Sequence, residues 1–215
     1  YNFLPMAIVT PNSWLSDQVQ HSILSPRFAA EIELAIDPVF FKRANRDELR
    51  RRLSIPQGAF VIAAVSQGGL DNTLSGGQFI RQVFEAWHSD NEQVVLLLLG
   101  GSESDAPLPT PFINRVIPYT FSPEQRSLVL QSADVFLQLS PYDATAIHML
   151  EAAAAGVPAL AFPATAAASL IRHLEDGYIS SYNSVSEISK GLQFLRNKPK
   201  LIRHLGDQAS RRIFE

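Results

Sequence analysis

Ser132-Ala-Asp-Val-Phe-Leu-Gln-Leu-Ser-Pro-Tyr-Asp143-Ala-Thr-Ala-Ile-His-Met-Leu-Glu151-Ala-Ala-Ala-Ala-Gly156-Val-Pro158-Ala-Leu-Ala-Phe162 reads as strand, loop, helix, turn and strand in succession. Residues 135–139 form a short apolar run of strand length, and residues 147–155 are rich in strong helix formers. Gly156 and Pro158 stop that helix, and residues 158–162 are apolar again. Strand, helix, strand is the unit that joins parallel strands. Outward from it, apolar runs at 61–65 and 94–99, and a weaker one at 115–117, alternate with helical patterns at 77–88, 123–132, 169–174, 185–196 and 200–212. The runs at 61–65, 94–99 and, but for Gln138, 135–139 are apolar without alternation, which predicts strands buried on both faces. The expected fold is α/β: a doubly wound, Rossmann-like parallel sheet.

The first 40 residues fit this unit less well. Residues 7–10 read as a strand, Pro11-Asn12-Ser13 as a turn with a helix cap, 14–25 as a helix and 31–35 as a short strand, with a break at Asp37-Pro38. A helix over 47–54 then precedes Pro56-Gln57-Gly58. The division predicted is 1–40 as a separate piece with a linker, and 41–215 as the main domain.

Composition narrows the function classes. The chain is 46% hydrophobic and 18% charged, as globular domains are. No run approaches the length of a membrane span, and Tyr1-Asn-Phe-Leu-Pro5 lacks the basic region of a secretory leader. With no cysteine, disulfides, thiolate zinc sites and cysteine nucleophiles are excluded, and a cytoplasmic setting is expected. A net charge of −3 offers no field for nucleic acid. The basic run Arg50-Arg51-Arg52, beside Asp47 and Glu48, reads as a solvated helix face. The five histidines have no zinc-ligand spacing, and Glu103-Ser104-Asp105 lacks an Asp-x-Asp motif. G-x-G-x-x-G, G-x-S-x-G and Walker loops are absent from the sequence.

In open parallel sheets ligands bind beyond the carboxyl ends of strands, where helix N-termini present free amides. Three such ends carry special residues: Ser66-Gln67-Gly68-Gly69, Gly100-Gly101-Ser102 and Ser140-Pro141-Tyr142-Asp143. Together they point to an anionic ligand such as a diphosphate.

The stretch 132–158 resembles the signature of the family 4 glycosyltransferases (glycosyl transferases group 1), with Asp143 and Glu151 at the family's acidic spacing and Glu151-Ala152-x-Ala154-x-Gly156-x-Pro158 matching its E-A-x-A-x-G-x-P. Thr10-Pro11-Asn12-Ser13-Trp14-Leu15 is similar to its P-S-x-W-L turn, Ala35-Ile36-Asp37-Pro38-Val39-Phe40 to its interdomain linker, and Gly177-Tyr178-Ile179 to its G-Y-L turn. The resemblance implies the C-terminal, donor-binding half of a two-domain GT-B enzyme. It also implies a retaining hexosyltransferase that moves sugar from a nucleoside diphosphate to a saccharide or lipid-linked acceptor in polysaccharide biosynthesis, without a metal or other cofactor. Such an enzyme would work in the cytoplasm or at the inner membrane surface.

By that resemblance Glu151 accepts the ribose hydroxyls. Asp143 is the catalytic candidate, read either as a sugar contact or as a helix cap. Gly68, Gly69, Gly100, Gly101, Ser140, Thr145, Ala146 and Ile147 complete the donor site. Glu151→Ala is expected to remove nucleotide binding and spare the fold. The family's Arg and Lys after the first donor-domain strand have no counterpart in Ser66 to Gly77, and its Gly-Phe-Gly is Ala144-Thr145-Ala146 here. Arg81 and His148 are read as surface or packing residues. The lost cations leave a second reading, an inactive glycosyltransferase-like binding or scaffolding module. The resemblance further implies an N-terminal acceptor domain as partner. The apolar Phe3, Leu4, Ile8, Val9, Trp14, Leu15, Val19, Ile23 and Leu24 predict that residues 1–34 dock on the main domain or mediate self-association.

Overall fold

A computed structural model of the chain describes residues 6–24, 28–87, 93–101, 108–109 and 111–215. Its elements run β1 (Ala7–Thr10), α1 (Ser13–Gln20), β2 (Phe28–Glu31), a 3-10 turn (Pro38–Phe41), α2 (Arg46–Arg52), β3 (Phe60–Val65), α3 (Gly77–Ala86), β4 (Val94–Leu99) and β5 (Ile113–Ile117). They continue α4 (Pro123–Ser132), β6 (Val135–Gln138), α5 (Ile147–Ala154), β7 (Ala159–Ala161), α6 (Ala166–Leu170), β8 (Gly177–Ile179), α7 (Val185–Arg196) and α8 (Pro199–Phe214). Six strands form one parallel sheet in the order β5-β4-β3-β6-β7-β8. The order reverses between β3 and β6, which makes their carboxyl ends the switch point of a doubly wound fold.

Helices cover both faces, as the unbroken apolar runs require. Val61, Ala63, Val95 and Leu97 pack with Leu130, Phe136 and Met149 on one side. Their strand neighbours Phe60, Ile62, Leu96 and Leu98 pack with Phe84, Trp87 and Leu192 on the other. Successive side chains of a strand point to opposite faces, so each run feeds two cores in turn.

Several local readings are corrected. The helix expected at 169–174 is α6 (Ala166–Leu170), which starts after Thr165 and ends before Ile171. Gly177-Tyr178-Ile179 is not a turn but the edge strand β8, paired with Ala159, Leu160 and Ala161; three residues are too few to show a period. The strand expected at 31–35 is β2, set earlier by its pairing of Phe28 with Ala7 and Glu31 with Thr10. Arg50 does not join a solvated face. It turns inward, donating to the Ser132 and Ala59 carbonyls and, at 2.8 Å, to Asp134, while Arg51 and Arg52 stay exposed and pair with Glu48. Asp134 also accepts from Arg46 at 2.7 Å and from the Val61 amide at 2.7 Å, so one carboxylate ties α2 to the start of β6 and to β3. Removing it strands the inward-turned Arg50. Asp134→Ala is expected to lower stability by about 3 kcal/mol, read from urea unfolding; a change under about 1 kcal/mol would show the cluster to be dispensable.

β1 and β2 form a separate two-stranded parallel sheet. Asn12 anchors this piece. Its Oδ1 accepts from the Leu15 amide as the cap of α1, and its Nδ2 donates to Ala144 O at 2.8 Å, in the loop before α5. α1 also packs on α6. Val9, Ile23, Phe28 and Ile32 remain exposed, and Phe3 and Leu4 lie outside the described residues. Asn12→Ala is expected to cost about 1 kcal/mol through the lost cap. Asn12→Asp keeps the cap but sets an anion against Ala144 O, so faster hydrogen exchange in 7–20 than in the alanine variant is expected. Equal exchange in the two would show that the Ala144 contact holds nothing.

Among the described residues, no helix is long and apolar enough to cross a membrane.

Candidate functional site

The switch point brings the loops after β3 and β6 side by side. The β3 loop is closed on itself. Ser66 Oγ donates to Gly69 O and meets Ser75 Oγ, each at 2.7 Å, and Asn72 bonds Gln67 O, the Leu74 amide and the Ser75 amide. Ser140 Oγ donates to Leu74 O at 3.1 Å, joining this loop to the end of β6. Gly76 permits the approach: its φ is 81°, and a Cβ there would lie 2.6 Å from Leu139 O. Gly68 N donates to Gly100 O, so the β4 loop joins the same cluster and Gly101 follows it. Gly68, Gly69, Gly100 and Ser140 are thus brought together as the sequence suggested; Ser102 and Glu103-Ser104-Asp105 lie outside the described residues.

No Lys or Arg occurs in Ser66–Gly76 or Ser140–Ala146. Arg81, from α3, reaches back to Asp71 at 3.0 Å and offsets the acid of the β3 loop. The Gln78 amide in the first turn of α3 is taken by Asn72 O. At α5, by contrast, no described residue accepts from the Ile147 or His148 amide. Two donors and a helix dipole therefore remain at that end.

Asp143 holds the approach to α5. Its Oδ1 accepts from the Thr145 amide, the Thr145 hydroxyl and the Ala146 amide (3.0, 3.0 and 2.8 Å), and its Oδ2 accepts from Gln138 at 3.2 Å. These bonds close an Asx-type turn inside the loop ahead of α5, whose N-cap position, Ala146, has no side-chain cap bond. Ala146, fully buried, sits at φ 49° where the family pattern has glycine, a left-handed backbone costly for alanine.

One turn further, Glu151 is 4% exposed and paired with Arg126 of α4: Arg126 Nη2 to Oε1 at 2.5 Å and Nε to Oε2 at 3.1 Å. The guanidinium also donates to Thr120 O and lies over the Phe40 ring at 5.7 Å. The bond to Glu151, above all, raises the Arg126 pKa further. His148, on the same helix face as Glu151, meets the Tyr119 hydroxyl through Nε2 at 3.3 Å and is held neutral at pH 7 by burial, against the pull of Glu151 and Asp143. Tyr119 in turn packs edge-on with the exposed ring of Phe121.

Arg126 escaped the sequence reading. A signal was available: it lies in the first turn of α4, where the dipole disfavours a cation, so it needed a partner. A cavity of about 530 Å³ lined by Arg172, Glu175, Asp176, His204 and Arg211 lies before β8, at the opposite ends of the strands from this site.

The family described as Glycosyl transferases group 1 matches residues 45–212. An uncharacterized glycosyltransferase of Haemophilus influenzae is 29% identical over 84 residues, 39% of this chain and 24% of that protein. Among solved structures, sucrose-phosphate synthase of Thermosynechococcus elongatus superposes with a TM-score of 0.77 at 16% identity, over 97% of this chain and 53% of that one. HepE of Anabaena, solved in complex with UDP-glucose, gives 0.79 at 12% identity, over 99% and 60%. The C-terminal domain of a glycosyl transferase group 1 protein of Francisella tularensis gives 0.66 at 17%, over 84% and 97%. These likenesses show a GT-B, Rossmann-like fold; the chain spans about a quarter of the curated relative and between half and two thirds of the two longer solved chains.

Proposed function

This chain belongs to the Glycosyl transferases group 1 family, and from that premise we propose that its six-stranded domain binds a nucleoside-diphosphate sugar at the β3/β6 switch point, as the donor half of a retaining glycosyltransferase. The observation that carries the reading is Glu151, a buried carboxylate one turn beyond the unengaged amides of Ile147 and His148. A carboxylate accepts from a ribose diol, and the amides donate to phosphate oxygens. The exposed Phe121 ring offers a face on which a base stacks. In this reading the donor binds without a metal. The acceptor, a saccharide or lipid-linked sugar of polysaccharide biosynthesis, is held by an N-terminal domain in the cytoplasm or at the inner membrane surface.

A second reading, a binding module without turnover, is favoured by one observation: the β3 loop holds no cation and spends its polar groups on itself. Stabilising the leaving diphosphate is where such catalysis gains most. Calorimetric titration of the chain with UDP, ADP and GDP is expected to show one of them bound, UDP being included because HepE was solved with UDP-glucose. The chain alone is expected to transfer no sugar, since in this reading the acceptor is held by an N-terminal domain and not by the described six-stranded sheet. Binding of none of the three would overturn the donor-site proposal, and any turnover by the purified chain would overturn the expectation of inactivity.

A further inference from the structure

We propose, resting on the donor-site reading above, that Arg126 is a positioning residue that turns Glu151 into a receptor for a vicinal diol and so sets preference for ribose over 2′-deoxyribose nucleotides. An ionised carboxylate offers about four acceptor sites on its two oxygens. Arg126 fills one on each, through Nη2 at 2.5 Å and Nε at 3.1 Å, and thereby fixes the carboxylate plane. One site on each oxygen remains, and the 2′- and 3′-hydroxyls of a ribose donate one bond each.

The placing of Arg126 is not explained by stability. A buried ion pair gains little over an apolar pair of the same size, and a cation in the first turn of a helix opposes the dipole. Yet the guanidinium is held from three further sides: by the Thr120 carbonyl at 3.2 Å, by the Phe40 ring, and by burial to 12% side-chain exposure. The bidentate fork also has a chemical consequence that a lysine could not reproduce, because an ammonium is a point charge that leaves the carboxylate free to rotate.

The test compares affinities for whichever of UDP, ADP and GDP binds the chain most tightly and for its 2′-deoxy counterpart. In the unaltered chain the ribonucleotide is expected to bind about 10- to 100-fold more tightly than the deoxy form, the range of a hydrogen bond to a charged group. In Arg126→Met the ratio is expected to fall below about threefold, because the carboxylate is no longer fixed. Arg126→Lys, which keeps the charge and the fold, is expected to lie between the two.

A role for Arg126 in packing alone would weaken both ligands equally and leave the ratio untouched. Should Arg126→Met fail to fold, the lysine variant decides, and an unaltered ratio in it overturns the inference. Glu151→Gln separates the two levels of argument. If it abolishes the ratio while both Arg126 variants keep it, only the role of Arg126 falls. If neither Glu151→Gln nor either Arg126 variant changes the ratio, or if none of the three diphosphates binds the unaltered chain, the donor-site reading falls and this inference with it.

Discussion

Glu151→Ala is expected to destabilise the chain by about 3–5 kcal/mol as well as to remove nucleotide binding, the range for breaking one side of a buried ion pair. The E-A-x-A helix by itself suggests a harmless change, because alanine is the best helix former. Burial reverses that expectation. Glu151 is 6% exposed at its side chain and Arg126 12%, so alanine would leave a largely desolvated guanidinium without its bidentate partner, with only the exposed Asp37 and Glu124 carboxylates acting on it from further off. His148, already against Tyr119, offers no replacement, since an imidazole is never an anion.

The expected result in urea unfolding is a large loss for either single variant, Glu151→Ala or Arg126→Met. The double variant Arg126→Met/Glu151→Leu, which removes both charges and keeps the volume, should regain most of it. Additive losses in the double variant would mean that the two side chains stabilise the fold separately, and the account of α4 and α5 clamped by one pair would be wrong. Glu151→Gln is the milder probe, since it keeps the shape and one acceptor.

How far the sequence led differs between the scaffold and the site. β4 and α4 were bounded to the residue, at 94–99 and 123–132, and for β4 the reason is that a strand buried on both faces is an unbroken apolar run with little to confuse it. β8 was not legible as a strand, since its three residues carry no period and its pairing partner is remote in sequence. At the site, residues named from a motif fell together: Gly68, Gly100 and Ser140 meet at the switch point because a parallel sheet puts every such loop at one end. What stayed hidden were partnerships across elements. Nothing local says that Arg126 finds Glu151 25 residues on, that Arg50 turns to Asp134, or that Asn12 reaches Ala144. Those choices belong to tertiary packing. An amphipathic arginine reads the same whether it ends in water or on a buried carboxylate.

The diphosphate itself is expected to add less than about tenfold to affinity over the bare nucleoside, a departure from what a phosphate site with two cations would give. Charge-assisted donors contribute about 1.5–3 kcal/mol each, so a lost Arg and Lys pair amounts to about 10²- to 10⁴-fold. No Lys or Arg lies within the β3 loop (66–76) or the β6 loop (140–146): the β3 loop carries Asp71, which Arg81 of α3 pairs with, and the β6 loop carries Asp143, whose carboxylate closes the turn at Thr145 and Ala146. At the start of α5, the described amides that remain for an anion are those of Ile147 and His148, with a helix-end contribution of about 0.3–1 kcal/mol. The negative charge of Asp143 beside them works against even that.

Recognition should therefore rest on ribose and base, and should change little between 50 and 500 mM salt because few exposed charges are involved. Calorimetry on the chain with a nucleoside and its diphosphate, at both salt levels, checks this directly. A diphosphate bound about a hundredfold more tightly than its nucleoside, with affinity falling steeply in salt, would show that a cation reaches the phosphates after all. The case for a binding module over an enzyme would then lose its main support.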